Sequence, residues 1–443
     1  MHYHISTFLV FSRQAIKREN YISMKKINFL VILILIVSSC QKDDEIFVPE
    51  CNPAENLTAS NVSYNSVTLS WEGSDIDNSL SYKIEYGLSG FVIGSGTIQT
   101  VTSNSINLQG LVPNTTYQYY VQTLCSANNI SVNSVLASFT TVSPPILPEF
   151  RQNLSELNLF QGELGNLQPS VYTFEYELNS SLYTDYALKQ RIIALPEGTT
   201  MDYVNDDLPN FPNNTVIAKT FYYNNNDGDL SQGKNIIETR VMIKLNGTWE
   251  FGDYVWNTDQ TDAVLDNEGS TVPINWTDIN GVEQSVNYKI PSSENCFTCH
   301  QSYNASTLIG PKLRSMNFTL NGTNQLQSFI NNGHLSNLSD IATVQSLPNW
   351  EDTTVSEDRR VRAYFDVNCA HCHTAGGYHN ENFFDALNLD YETSFDDSNI
   401  YDQRSSILTR IQTSIEGYSM PYLGVTSPHQ EALDLIVPYL ESL

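Results

Sequence analysis

Two five-residue runs have the residue types and spacing to do chemistry. They are Cys296-Phe297-Thr298-Cys299-His300 and Cys369-Ala370-His371-Cys372-His373. Cys-x-x-Cys-His is the attachment signature of a c-type haem. Two thiols one helical turn apart reach the two vinyl groups of one porphyrin as thioethers. The adjacent histidine then lies under the iron and supplies its proximal nitrogen. The chain is therefore expected to carry two covalently bound c-type haems. Cys296, Cys299, Cys369 and Cys372 are the attachment points, and His300 and His373 the iron ligands. A zinc site would need two further ligands per run, and no third cysteine pair exists to complete a four-cysteine ribbon. A thioredoxin-like redox pair would need a βαβ setting, which neither run has.

The sixth iron ligands are read from the residues downstream. Met420-Pro421 follows the second run and precedes a closing helix over residues 428–440. A methionine in that position suits His/Met ligation as in a small cytochrome c, which raises the reduction potential. The alternative for Met420 is a packed core methionine. Leu433, Ile436 and Leu440 recur at helical spacing, and Pro438 should kink or loosen the last turn. An entering helix near Ser356–Asn368 offers Val361, Tyr364, Phe365 and Val367 to the haem. For the first haem, Met316 and His334 are the local candidates, and the absence of any local ligand is the third option. His371 and His379 are placed to reach across from the second run, although His371 also reads as a simple spacer. Ile309-Gly310-Pro311 resembles the Gly-Pro of small cytochromes c, whose carbonyl accepts a hydrogen bond from the proximal histidine. Residues 324–332 read as a short helix.

The other three cysteines also have roles. Met24-Lys25-Lys26, the apolar run Leu30–Val37 and the small residues Ser38 and Ser39 form a secretory signal, with Met24 the better start. The apolar run is shorter than the ~20 residues of a spanning helix; an uncleaved anchor is the second reading. Val37-Ser38-Ser39-Cys40 resembles a bacterial lipobox, which implies a lipid on Cys40 and anchoring to the outer membrane. Gln41-Lys42-Asp43-Asp44-Glu45 resembles the export tag of surface lipoproteins, or is a solvated tether. Cys51 and Cys125 remain, and can pair as a disulfide in an oxidising compartment.

The chain has 443 residues, 22 basic and 49 acidic, for a formal charge of −27. That charge argues against nucleic acid, whose phosphates such a surface repels. Removal of residues 1–39 takes away five basic residues (Arg13, Lys17, Arg18, Lys25, Lys26) and one acid (Glu19), leaving about −31. A charge-steered redox partner should then be basic at its contact surface. The apolar content is too high for a wholly disordered chain, and the length suggests about three domains.

The fold class expected is multidomain: an all-β sandwich, a β-rich middle domain and α-helical cytochrome c-like haem domains at the C-terminus. In residues 51–142, apolar and polar residues alternate along Val67–Trp71, Tyr82–Tyr86 and Ser105–Leu108, and a strand over 134–141 would close the unit. Trp71 on an inner strand and Tyr117 at a corner resemble a fibronectin type III sandwich. That resemblance implies an adhesive module or a spacer, and the leftover pair Cys51 and Cys125 would staple the first strand to the sixth. Residues 143–149 are a stiff Pro-rich linker. The middle domain, 150–290, has strand character at 215–223, 235–245 and 252–256. Asn224–Asp229 has oxygen ligands at calcium-like spacing but reads better as a hairpin turn. Residues 291–350 hold the first haem site and 351–443 a cytochrome c-like second haem domain.

Residues from about 150 to 443 also resemble a family of bacterial dihaem c-type cytochromes. The similarity lies in Leu182–Lys189, Leu195–Gly198, Lys219–Tyr223, Ile237–Arg240, Tyr254–Asn257, Ile309–Lys312 and Asp366–His373. It implies an exported dihaem redox protein. Electron transfer at the cell envelope is the first functional expectation. A dihaem oxidoreductase, peroxidase- or dehydrogenase-like with an open position at the first iron, is the alternative.

Overall fold

The computed structural model describes residues 50–73, 81–383 and 387–443. The signal segment, the Cys40 lipid site and the tether up to residue 49 lie outside the described residues. No helix among the described residues is long and apolar enough to cross a membrane.

Strands β1 (Glu55–Ser60), β2 (Ser66–Glu72), β3 (Ser81–Leu88), β4 (Thr97–Val101), β5 (Ser105–Gln109), β6 (Thr116–Ser126), β7 (Asn129–Ile130) and β8 (Ala137–Thr140) build a two-sheet sandwich. One sheet runs β1-β2-β5; the other runs β4-β3-β6-β7, with β8 also on β6. Period-two alternation turns Val67, Leu69 and Trp71 of β2 and Tyr117, Tyr119 and Val121 of β6 inward. Tyr117 Oη accepts a hydrogen bond from the Val112 N–H at 3.0 Å and pins the corner before β6. Cys51 and Cys125 are joined as a disulfide. Cys51 lies just ahead of β1, so the bond ties the entering chain, rather than the strand itself, to β6.

The Pro-rich linker lies along the next unit. Leu147 N–H donates to Leu157 O at 3.3 Å, Asn158 Nδ2 donates to Pro145 O at 2.8 Å, and Ile146 packs on the core beyond. Next come β9 (Phe174–Glu175), β10 (Leu188–Ala194), β11 (Met201–Asp202), β12 (Val216–Asn224), β13 (Lys234–Leu245), β14 (Thr248–Trp256), β15 (Ala263–Leu265), β16 (Ser270–Thr277) and β17 (Glu283–Ile290). Six of them form one sheet in the order β15-β14-β13-β12-β10-β9. All its neighbours are antiparallel. The Asn224–Asp229 run is the β12–β13 hairpin loop, in which Asn224 Nδ2 donates to Asp227 Oδ1 at 3.0 Å and the Gly228 N–H to Asn226 Oδ1 at 2.8 Å.

Both faces of this sheet are buried, which explains its near-continuous apolar runs. Ile192, Val216 and Val241 pack under Leu154, Leu157 and Leu159. Ile193, Ile217 and Met242 on the opposite face pack under Leu308, Leu313, Met316 and Leu326. Each fully buried aliphatic side chain contributes about 1.5–3 kcal/mol. The second core joins the sheet to residues 308–344, so the boundary drawn near 290 separates no cores.

The helices are α1 (Ser293–Cys299), α2 (Leu313–Met316), α3 (Gln325–Asn331), α4 (Glu357–Asn368), α5 (Tyr378–Asn382), α6 (Phe395–Ser398), α7 (Ile400–Ile411) and α8 (Gln430–Ser442). Asn324 caps α3 by accepting from Leu326 N–H and Gln327 N–H. The expectation of two helical domains at the C-terminus needs correction. Residues 291–350 hold three short helices, of which α2 and α3 use the sheet as their core, because neither has apolar area enough to form a core alone. Among the described residues, only α4, α7 and α8 gather round a helical core, with Val361, Phe365, Ile407, Leu435, Ile436 and Leu440 inside. The body is β-rich. In α8 the buried face is Ala432, Leu435, Ile436, Tyr439 and Leu440, and Leu433 is only half-buried. The helix runs through Pro438 to Ser442. Pro438 is solvent-exposed, so water can serve the carbonyl it leaves unpaired while Tyr439 and Leu440 anchor the turn beyond.

Candidate functional site

Each Cys-x-x-Cys-His run sits at the C-terminal end of a helix. Cys296 and Cys299 lie one turn apart in α1, and His300 caps it through its N–H to Cys296 O at 2.8 Å. Cys369 caps α4, and the N–H groups of Cys372 and His373 both fold back to Cys369 O, at 3.1 and 3.0 Å. His300 Nδ1 lies 3.0 Å from the Thr307 carbonyl. A carbonyl only accepts, so Nδ1 carries the proton and Nε2 is left with its lone pair. The expected acceptor near Gly310-Pro311 is therefore replaced by Thr307. The Gly310 carbonyl instead takes the Lys312 N–H at 2.7 Å in a tight turn. Burial pulls the His300 imidazole down to about 3, so it is neutral at ordinary pH.

The fold brings the two runs together. The sulfurs of Cys299 and Cys372 and a ring nitrogen of His371 all lie within 4.8 Å of one another. The hydrogen bond from Cys372 holds the Cys299 thiol well below its usual range, and burial pushes Cys296 up to about 11 and Cys369 up to about 12. Tyr303 N–H donates to Gly376 O at 2.8 Å, linking the loops that follow the two runs. Gly376 has φ +79°, and a Cβ there would meet the Tyr303 ring at 2.6 Å. Only glycine permits this approach.

A cavity of about 190 Å³ lies beside the two runs. Its apolar wall includes Leu178, Leu182, Leu308, Val367 and Ala370, and His371 reaches it from the second run. Its polar wall comes from the sheet. Arg191, Lys219 and Arg240 are direct cross-strand neighbours on β10, β12 and β13, with Asp253 next on β14. Arg191 and Lys219 line the cavity, and Lys219, Arg240 and Asp253 line a smaller space against Cys296 and His300. Burial, with Arg191 and Arg240 alongside, pulls the Lys219 ammonium down to about 7. Burial beside Glu238 raises Asp253 well above the usual carboxylate range. Sequence reading passed over this charged row. Its signal was a cation inside each of three successive strands, Arg191, Lys219 and Arg240.

The sixth-ligand candidates are scattered. Met420 is half-buried in the loop between α7 and α8, with its N–H on Arg410 O at 3.0 Å. Met316 is fully buried in the core under the sheet. His334 stacks on Phe174, ring centroids 3.8 Å apart. Neither Met316 nor His334 lines the spaces beside His300. His379 faces His373 at 4.2 Å between ring centroids, and His371 turns to Cys299. An unanticipated histidine, His429, stacks on Tyr183 at 4.1 Å and meets Tyr364 Oη through Nδ1 at 3.1 Å.

An ion-pair cluster and a hydrogen-bonded buried carboxylate hold the elements around the second run. Arg314 Nη2 donates to Asp366 Oδ1 at 2.6 Å and to Asp390 Oδ2 at 2.9 Å, which binds α2 to α4. Asp185, fully buried, accepts from the N–H and hydroxyl groups of both Thr426 and Ser427 at 2.9–3.1 Å. It thereby ties the middle unit to the loop between Met420 and α8.

Residues 52–135 match the family model described as fibronectin type III domain. This segment is a fibronectin type III domain. Solved structures similar over it include the FN5 domain of Drosophila Lar, at 20% identity and TM-score 0.18, covering 21% of this chain and 99% of that one. Another is the fn3 domain of the human collagen alpha-1(XX) chain, at 20% identity and TM-score 0.19, covering 22% of this chain and 92% of that one. No curated protein matches the sequence. The fibronectin type III domain supplies no residue to either space beside the Cys-x-x-Cys-His runs.

Proposed function

We propose that this chain is an exported dihaem c-type cytochrome that transfers electrons at the cell envelope. The observation carrying this reading is the meeting of two complete Cys-x-x-Cys-His runs, Cys299 against Cys372, on one scaffold. The thiols and imidazoles of the two runs are the donor types the group needs. Cys296 and Cys299 would hold one haem and Cys369 and Cys372 the other, as thioethers, with His300 and His373 as proximal ligands and Met420 as the sixth ligand of the second iron. Thr307 fixes the His300 tautomer that leaves Nε2 free to ligate. The haems, once attached, would supply one-electron chemistry. The chain would hold them close and partly shield them from water. The mature chain, lipid-anchored through Cys40, would meet a redox partner with a basic contact surface.

A second reading is a dihaem oxidoreductase of peroxidase or dehydrogenase type. It is favoured by Met316 and His334 lining neither of the spaces beside the two runs. The test is the chain matured in a host competent for cytochrome assembly. Pyridine haemochrome should give two haems per chain, and one or none would defeat the proposal. Two low-spin irons favour the carrier; a high-spin, carbon-monoxide-binding iron that survives Met420→Ala favours the oxidoreductase. The mass of the mature amino terminus tests lipidation of Cys40.

A further inference from the structure

Lys219 is 6% exposed, and among the described residues its ammonium has no hydrogen-bond or ion-pair partner. Its nearest cross-strand neighbours, Arg191 and Arg240, are both cations. Like charges set directly opposite one another repel. Each of the two arginines has its own anion. Arg191 donates to Glu177 Oε2 at 2.9 Å and to Ser181 Oγ at 2.8 Å; Arg240 donates to Glu238 Oε1 at 2.5 Å. The cavity's acids are also engaged: Asp366 and Asp390 with Arg314 and Lys312, and Asp207 with Lys312. Lys219 alone of this set faces the 190 Å³ cavity with neither a hydrogen bond nor an ion pair, its ammonium 5.8 Å from the centroid of the Phe221 ring. A buried cation without an anion is costly, and an anion entering the cavity would lower that cost.

We propose that Lys219, with Arg191 beside it, binds a carboxylate or small oxyanion in the cavity beside the two Cys-x-x-Cys-His runs. The carboxylate has two possible sources. One is a propionate of a haem attached at a flanking run, an arm that rests on the dihaem reading. The other is a free anion from solution, an arm independent of it.

The test compares wild type with Lys219→Met, which keeps the length and removes the charge, and with Lys219→Arg, which keeps the charge. Haem content is counted first. In the holoprotein, redox titration at a series of pH values reads the propionate source: Lys219→Met shifts the pH dependence of one midpoint potential upward, because a propionate that loses its cation is easier to protonate, and Lys219→Arg does not. Calorimetric titration of the chain with acetate and with sulfate reads the free source: binding weakens at least tenfold in Lys219→Met and persists in Lys219→Arg. Movement of either readout supports the site and identifies its source. Unchanged potentials together with unchanged or undetectable acetate and sulfate binding overturn it. If Lys219→Met does not fold, thermal stabilisation of wild type by acetate or sulfate over equal chloride replaces the second readout, and the potential of Lys219→Gln replaces the first. A chain that carries no haem defeats the dihaem reading and leaves the acetate and sulfate result to stand or fall alone.

Discussion

The sulfurs of Cys299 and Cys372, from two different runs, lie within 4.8 Å of each other, a contact shared with His371. The first prediction follows from it. In chain made without haem attachment, mild oxidation should link Cys299 to Cys372 before any other pair. The Cys299 thiol is held low by Cys372, while burial raises Cys296 and Cys369, so the reactive thiolate is at Cys299. Peptide mapping under non-reducing conditions should find that crosslink. A dominant Cys296–Cys299 or Cys369–Cys372 bond would contradict the geometry.

Replacing Arg314 should be severe. Arg314 and Asp366 are both almost wholly buried, and the charge on Asp366 would lose its closest partner. Arg314→Met should cost about 3–5 kcal/mol. Urea unfolding followed by tryptophan fluorescence measures it. A loss under ~1 kcal/mol, the range of exposed pairs, would show that α2 and α4 are not clasped this way.

Asp185 offers a local test. Asp185→Ala removes the acceptor for Thr426 and Ser427 and should cost on the order of 2–3 kcal/mol. Hydrogen exchange should rise in residues 419–428 and leave the β1–β8 sandwich unchanged. If Met420 ligates the second iron, the low-spin fraction of that haem falls in parallel.

His429 predicts a pH dependence. Burial holds it at about 4 in the folded chain, against 6.5 unfolded. Between those values the unfolded chain binds the extra proton, so stability falls as pH drops from about 6.5 towards 4 and then levels off. His429→Gln should flatten the stability curve relative to wild type in that window only. Equal slopes for the two proteins would remove His429 from the cause.

Reducing the Cys51–Cys125 bond should destabilise the fibronectin type III domain by about 2–4 kcal/mol, since the bond closes a long loop in the unfolded chain. The Cys51→Ser, Cys125→Ser double variant should lower the melting transition of this domain and leave that of the α4–α8 core in place. Calorimetry of the whole chain separates the two.

Local patterns made much of this legible in advance. Alternation along Val67–Trp71 marked β2, Asn324 marked the start of α3, and the spacing of Cys296, Cys299 and His300 needed only one helical turn. What depended on distant chain was not legible. The Thr307 carbonyl accepts the His300 Nδ1–H, while the Gly310 carbonyl accepts the Lys312 N–H of its own turn. Leu433 yields its buried place to Leu435 because the helix face is set by packing on α4. The meeting of Cys299 with Cys372, and the row Arg191–Lys219–Arg240, require strand register and loop docking that no short window contains.

The core beneath Ile193, Ile217 and Met242 is completed by Leu308, Leu313 and Leu326. A polypeptide cut near residue 290 would present that hydrocarbon to water on both halves, and each half would tend to clump. The piece of this molecule that carries the two Cys-x-x-Cys-His runs therefore begins near residue 150. Any excision, fusion or transplantation that keeps His300 in place must carry the whole β9–β15 platform with it.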